Sequence, residues 1–203
     1  FSPSDALNFG LHYDTKVNLA YNTTVKKDFK VSPSVTLLDK LGVNTDEDEE
    51  RIRNLPAVLA AGVSYKINPK VRIESNLTLY LNSGADFEEI IETPRDESAV
   101  DNGYEFGIGV DYAVTDTLNI TFGYLYTATG VEKAKDMTPE LPELNANTIG
   151  TGLKYKMTDN LNLTCSLGHV FYQDVSFVNM FEQTIKYEKD ITFVGLGLEY
   201  KFF

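Results

Sequence analysis

Residues able to do chemistry are few in this chain, and their spacing is poor for it. His12 and His169 are the only histidines among 203 residues. Neither lies in a His-Glu-x-x-His or histidine–carboxylate cluster of the kind that holds a catalytic metal. Cys165 is the only cysteine, so an internal disulfide and a cysteine-based zinc site are both excluded. There is no Gly-x-Ser-x-Gly elbow, no phosphate-binding loop and no histidine beside a plausible nucleophile. A membrane lipase or protease would need a Ser–His or Asp–His set built on His12 or His169. The expectation is a protein that is not an enzyme and carries no cofactor and no metal.

The charged residues point the same way. The run Asp46–Glu50, "DEDEE", offers oxygen ligands but lacks the spacing of a calcium loop, and reads as a solvated connection. Thirty acidic against eighteen basic residues leave a net charge of -12. Such a surface releases no counterions from a phosphate backbone, so nucleic acid is not an expected partner. Four Asn-x-Thr matches begin at Asn22, Asn76, Asn119 and Asn162. They fall where strands alternate, not in the surface loops a glycan needs.

What must position these residues is a succession of strands. In "TDTLNITFGYLY", Leu118, Ile120, Phe122, Tyr124 and Tyr126 alternate with Asn119, Thr121 and Gly123. Strands send successive side chains to opposite faces, so this segment has one apolar and one small or polar face. The alternation recurs in pairs of runs. Leu7–Tyr13 is read as pairing with Val17–Val25 about Asp14-Thr15-Lys16, and Ala57–Ile67 with Val71–Leu81 about Asn68-Pro69. Further turns fall at Thr115-Asp116 and Thr158-Asp159, and "ITFVGLGLEYKFF" supplies a last run. Asp, Asn, Thr and Pro suit tight connections.

This reading counts nine strands. Longer polar connections separate the pairs: 31–54, 82–103, 128–147 and a shorter one near 179–189. Short turns and long loops alternate, which in an up-and-down sheet places all the short turns at one end.

The second face carries Arg72, Glu74, Asn76, Thr78 and Tyr80 on one strand, Glu105, Gly107, Gly109 and Asp111 on another, and Lys154 and Lys156 on a third. Small residues beside charged ones suit the crowded, bending interior of a barrel. Tyr13, Tyr65, Tyr112 and Tyr155 fall close to expected short turns on the apolar face, as in an interfacial aromatic girdle. Runs of about 9 to 12 residues match a tilted membrane strand. Lipid is therefore the expected cover of the apolar face, with closure needed because open edges are not tolerated in hydrocarbon. A soluble barrel or sandwich is the competing reading of the pattern alone. No apolar window is long enough for a transmembrane helix, and "FSPSDALNFG" has no signal-peptide pattern. Cys165, between Leu163 and Leu167, reads as one more apolar contact.

In "VGLGLEYKFF", Val194, Leu196, Leu198, Tyr200 and Phe202 alternate with Gly195, Gly197, Glu199 and Lys201. This resembles the terminal signal by which outer-membrane barrels are recognised for insertion, with Gly197, Tyr200 and Phe202 at its glycine and two aromatic positions. Phe203 is one residue beyond that pattern. The resemblance implies barrel assembly machinery and outer-membrane lipid as partners.

Whole segments resemble the FadL/TodX-type barrels that carry long-chain fatty acids and other hydrophobic compounds. "NFGLHYDTKVNLAYNTTVKKDFK" is similar to the family's "LxYxxxVKHxFKG" hairpin. "LPAVLAAGVSYKINPKVRIESNLTLYLNSGADFEE" is similar to its "LPxxxxxGxxYxxNP…WSxFxE" segment. "TPELPELNANTIGTGLKYKMTDNLNLTCSLGHVFYQDVSF" is similar to its "TPxLPDxxR…GxxYx…DxGYxHxFxxD" segment. Leu81-Asn82-Ser83 stands where the family favours Trp-Ser, and Asn147 where an Arg is common. The likeness reaches the C-terminal part of the family. It implies an all-β, antiparallel, up-and-down transmembrane barrel of about fourteen strands, of which this chain holds the last nine. Residues 1–203 are then one outer-membrane barrel domain, with the N-terminal hatch and the kinked strand at the lateral exit lying upstream of Phe1.

The resemblance further implies passive passage of fatty acids or hydrocarbons through a lined pocket, since a water-filled pore offers an apolar chain no favourable path. A lumen cation suits a carboxylate head. Arg72, Lys154 and Lys156 are the candidates, with Tyr80 as neighbouring wall. The competing role for each is lumen ion pairing with Glu74, Glu105, Asp111 or Glu199. A small structural or adhesive surface barrel with partner-binding loops is the alternative function.

Overall fold

The computed structural model describes residues 1–22, 30–32, 35–36, 50–52, 54–85, 101–131, 143–178 and 182–202. In chain order the strands are β1 (Leu7–Asp14), β2 (Ala20–Asn22), β3 (Lys30–Ser32), β4 (Val35–Thr36), β5 (Glu50–Ile52), β6 (Ala57–Asn68) and β7 (Val71–Leu81). They continue as β8 (Gly103–Ala113), β9 (Leu118–Ala128), β10 (Ala146–Lys156), β11 (Leu161–Tyr172), β12 (Val175–Val178), β13 (Thr184–Tyr187) and β14 (Asp190–Tyr200). A 3-10 turn, Asn82–Gly84, follows β7.

Eight of these form one antiparallel sheet in the order β1-β6-β7-β8-β9-β10-β11-β14. The tight connections β6–β7, β8–β9 and β10–β11 lie at one end. Side-chain oxygens shape them: Asn68 Oδ1 accepts from the backbone N–H groups of Lys70 and Val71, and Thr115 Oγ1 from those of Thr117 and Leu118. The longer connections all lie at the other end.

The expected hairpin about Asp14-Thr15-Lys16 does not form. β1 pairs with β6 instead, from Leu7 opposite Tyr65 to Asp14 opposite Val58. Beyond the sheet the same register runs on, with Val17 opposite Leu55 and Tyr21 opposite Arg51. The stretches 7–14, 17 and 20–22 thus meet 58–65, 55 and 50–52 in one common register. Turn-compatible residues at 14–16 permit a turn but do not enforce one. The observed alternative matches eight residues of β1 with β6 in the principal sheet and keeps the same register out to 20–22 against 50–52. The nine expected strands accordingly become eight in the principal sheet, and Thr23 and Val25 of the ninth lie outside the described residues.

This pairing also moves Tyr13 to the long-loop end, opposite Leu59. Tyr65, Tyr112 and Tyr155 stay at the short-turn end, where Tyr200 joins them. A further aromatic pair, Tyr104 and Tyr126, marks the loop end, with ring centroids 5.8 Å apart.

The sheet has no soluble-protein core. Leu11 and Leu196 are 79% exposed and Val194 and Leu198 73% exposed, all on the same face. The buried apolar residues lie at the loop end: Ala57, Ala146, and a small cluster of Val131 and Leu144 packed against Tyr172, Val175 and Tyr187. Asn54 is buried at the neck of the long hairpin, where its Oδ1 accepts from the Leu19 N–H at 3.2 Å. A continuous exposed apolar face of this extent marks a membrane surface. No helix among the described residues is long and apolar enough to cross a membrane.

Candidate functional site

The strand registers place Asn8, Ser64, Glu74, Gly109, Gly123, Gly150, Gly168 and Phe193 in one row across the concave face. Four successive strands therefore contribute a bare glycine at the same level. In the middle of that row Glu74, Gly109, Gly123 and Gly150, with Asn76, Leu125 and Thr148, line a depression of about 280 Å³. Side chains lie over two glycines of this face: Asn76 covers Gly107, and, in the row beyond the depression, the Phe193 ring covers Gly168.

Toward the short turns the same face is polar and cross-linked. Arg72 Nε donates to Asp111 Oδ2 at 3.0 Å, Nη2 donates to the same oxygen, and Nη1 pairs with Glu74. Thr121 Oγ1 completes Asp111 at 2.6 Å. Lys154 Nζ reaches Glu199 Oε2 at 3.0 Å, and Asn162 donates to the same oxygen at 3.1 Å. Lys156 pairs with Asp159 in the turn at 2.7 Å. There the hydrogen bond from Lys156 holds the Asp159 carboxyl below its ordinary pKa of 3.8. At the other end of the face, near the long loops, Tyr80 donates to Glu105 Oε2 at 3.0 Å, and Thr127 to Oε1 at 3.1 Å.

Beside that cluster the loop end carries apolar Val58, Leu125, Val170 and Ile191 at concave positions of their strands. The face thus runs from a polar, ion-paired floor, through the glycine row, to a mouth where apolar side chains sit beside the Tyr80–Glu105–Thr127 cluster and the His12–Asp14 pair.

Arg72, Tyr80, Lys154 and Lys156 all lie on this concave face, yet each is engaged by an acidic neighbour. Sequence reasoning passed over Lys66, directly opposite Arg72, which has no ion-pair partner among the described residues. Its signal was position: it shares the parity of Gly62 and Ser64. The two histidines separate. His12 is concave and pairs with Asp14 at 2.8 Å, whereas His169 is on the convex face, 2.7 Å from Thr192 Oγ1 and with its ring tilted against that of Phe171. Among the described residues no group of three or more His, Cys, Asp or Glu could hold a metal. Asp46–Glu49 lie outside the described residues.

A two-faced antiparallel meander with an apolar outside and a polar, glycine-lined inside is the wall of a transmembrane β-barrel. The chain belongs to the family described as "Outer membrane protein transport protein (OMPP1/FadL/TodX)", whose model matches residues 1–202. No curated protein matches it. A FadL homologue from Pseudomonas aeruginosa is 16% identical and superposes with a TM-score of 0.65, covering 100% of this chain and 51% of its own. The Pseudomonas putida toluene transporter TodX is 12% identical at a TM-score of 0.57, with 98% and 47% covered. The CymD monoaromatic hydrocarbon channel is 11% identical at 0.56, with 98% and 48% covered. The chain spans about half the length of these structures.

Proposed function

We propose that the complete protein carries hydrophobic compounds across the outer membrane by passive diffusion through its barrel, long-chain fatty acids among them. Residues 1–203 form part of one barrel domain of about fourteen strands, integral to that membrane. The observation that carries this reading is the graded concave face. A mouth carrying Val58, Leu125, Val170 and Ile191 beside the Tyr80–Glu105 bond leads to a glycine-lined depression and then to an ion-paired floor. Apolar ligand gains by leaving water for such a wall, and no bond need be made or broken. Lys66 is the cation best placed to meet a carboxylate head, with Arg72, Lys154, Lys156 and Tyr80 as wall. Family membership and the likeness to channel folds support the reading.

A second substrate class is favoured by a specific observation. Arg72, Lys154 and Lys156 are already neutralised by Asp111, Glu74, Glu199 and Asp159, which suits uncharged hydrocarbons better than carboxylates. For biogenesis, Gly197, Tyr200 and Phe202 are proposed as the assembly signal. Tyr200 ends β14, and its ring meets Phe202 edge-on at 5.1 Å.

The test is uptake by cells lacking the gene, with and without the complete protein restored. Labelled oleate and labelled toluene are measured in parallel. Restoration of either supports transport and names the class, while unchanged uptake of every fatty acid and hydrocarbon tried would refute it.

A further inference from the structure

β14 raises a problem of register. It is the last strand of the sheet and pairs only with β11 among the described residues. A one-residue slip would turn its apolar face into the lumen, but a two-residue slip keeps both faces. On the convex side the facing pairs are Leu163 with Leu198, Cys165 with Leu196, and Leu167 with Val194. These side chains are nearly interchangeable, so lipid-facing packing barely distinguishes the native register from its two-residue neighbours.

The distal hairpin does not settle it either. Phe171 faces Asp190, but beyond the sheet Val175 faces Tyr187, leaving three residues on one arm against two on the other. That irregularity breaks the ladder between β12–β13 and β11–β14.

The concave side is specific. Phe193 faces Gly168, Ser166 faces Gly195, and Thr164 faces Gly197. Each pair sets a side chain against a glycine. A Cβ at Gly168 would run into the far edge of the Phe193 ring, and one at Gly195 into Ser166 Oγ. The ring covers Gly168 so closely that this glycine is buried on an otherwise open face. After a two-residue slip Phe193 would face Ser166 or Val170, and both already occupy the space the ring needs. Of the concave positions on β11, Gly168 alone has no side chain.

We propose that the register of β14 is keyed on the lumen side by these glycine seats, with the Phe193 ring on Gly168 as the deciding pair. An aromatic seated on a cross-strand glycine is a recognised means of pinning sheet register. The key is a positioning device, and it holds the terminal aromatics Tyr200 and Phe202 at a fixed height relative to the Thr158-Asp159 turn.

Cys165 makes the test direct, because it faces Leu196. In the complete protein, with any cysteine outside this chain replaced by serine, Leu196→Cys reports the native register by oxidation to a disulfide with Cys165. Leu198→Cys and Val194→Cys report the two opposite slips, since a diagonal pair at about 7–8 Å closes poorly compared with a direct one at about 4.5–5.5 Å. Only the heat-modifiable, folded electrophoretic band is scored. With Phe193 and Gly168 intact, the native reporter alone should cross-link. In Phe193→Ala or Gly168→Ala backgrounds a slip reporter should rise several-fold, and exchanging knob and seat (Gly168→Phe with Phe193→Gly) should restore the native pattern. If Phe193→Ala gives no folded band, Gly168→Ala decides, because it need only push the ring aside. Slip reporters that stay at background in the folded band of Gly168→Ala overturn the proposal.

Discussion

Arg72 and Asp111 face each other across the β7–β8 pair, and two guanidinium nitrogens donate to one carboxylate oxygen while Thr121 takes the other. This is the most connected point of the lumen floor, binding three neighbouring strands together. Asp111→Ala removes the shared acceptor and leaves Arg72 with Glu74. Charge-assisted hydrogen bonds carry more than neutral ones. Because the Arg72 side chain is 43% exposed, solvent screening holds the expected loss to about 1 kcal/mol. Urea unfolding in lipid vesicles measures it. An unchanged midpoint would show that the floor is not cross-linked as described.

Gly130 supplies a second prediction. Its φ is +82°, and an added Cβ would run into the Asp101 carbonyl, whose residue also donates its N–H to the Gly130 oxygen at 2.8 Å. Left-handed backbone costs an ordinary residue about 1–2 kcal/mol, before any steric conflict. Gly130→Ala should therefore lower stability by at least that much and detach the 101–102 segment from the loop after β9. Proteolysis at the loop end, compared between wild type and variant, reports it, and equal rates would contradict the strain.

Much of this was legible in sequence. Alternation assigned the two faces of Val71–Leu81, Gly103–Ala113 and Leu118–Ala128, because a period of two is imposed by the backbone itself. The turns at Asn68-Pro69, Thr115-Asp116 and Thr158-Asp159 carried their chemistry in side chains that bond locally. Pairing at Asp14-Thr15-Lys16 did not follow, because whether a permissive segment turns depends on which distant strand competes for its partner. β6 won through eight matched residues of a ladder that no local window contains. The same limit applies to the lumen. The side chains on the concave face could be named, but not that Lys156 is held by Asp159 beyond the strand end while Lys66 is left over. The Phe193–Gly168 contact was invisible until the register was known.

The pH dependence of the short-turn end has a definite sign. Lys156 hydrogen-bonds Asp159 and lowers its carboxyl pKa below 3.8. A depressed folded value means that the pair's contribution is present above the ordinary value and is lost as pH falls through the folded one. Carbon-detected NMR of the Asp159 carboxyl in micelles should show a midpoint below 3.8, and Lys156→Met should return it to the ordinary value. Coincident titrations of the two proteins would mean that the pair does not form in solution.

The assignment of lipid to the convex face has its own test in two adjacent residues. Phe122 is on the convex side in the middle of β9 and is 59% exposed. Thr121, next to it, is on the concave side at Asp111. A lysine in place of Phe122 would sit near the hydrocarbon midplane, where a cationic side chain costs about 2–4 kcal/mol. The same lysine in place of Thr121 would meet the Asp111 carboxylate in a wet lumen, where it should cost less than about 1 kcal/mol. Because strand, depth and introduced lysine are held constant, the difference reports chiefly on what covers each face. Unfolding of both variants in vesicles should separate them by at least about 1 kcal/mol, a factor of about five in equilibrium constant. If Phe122→Lys proves as mild as Thr121→Lys, the apolar face meets something other than lipid, and the barrel reading of these eight strands would have to yield to a soluble sheet covered by protein.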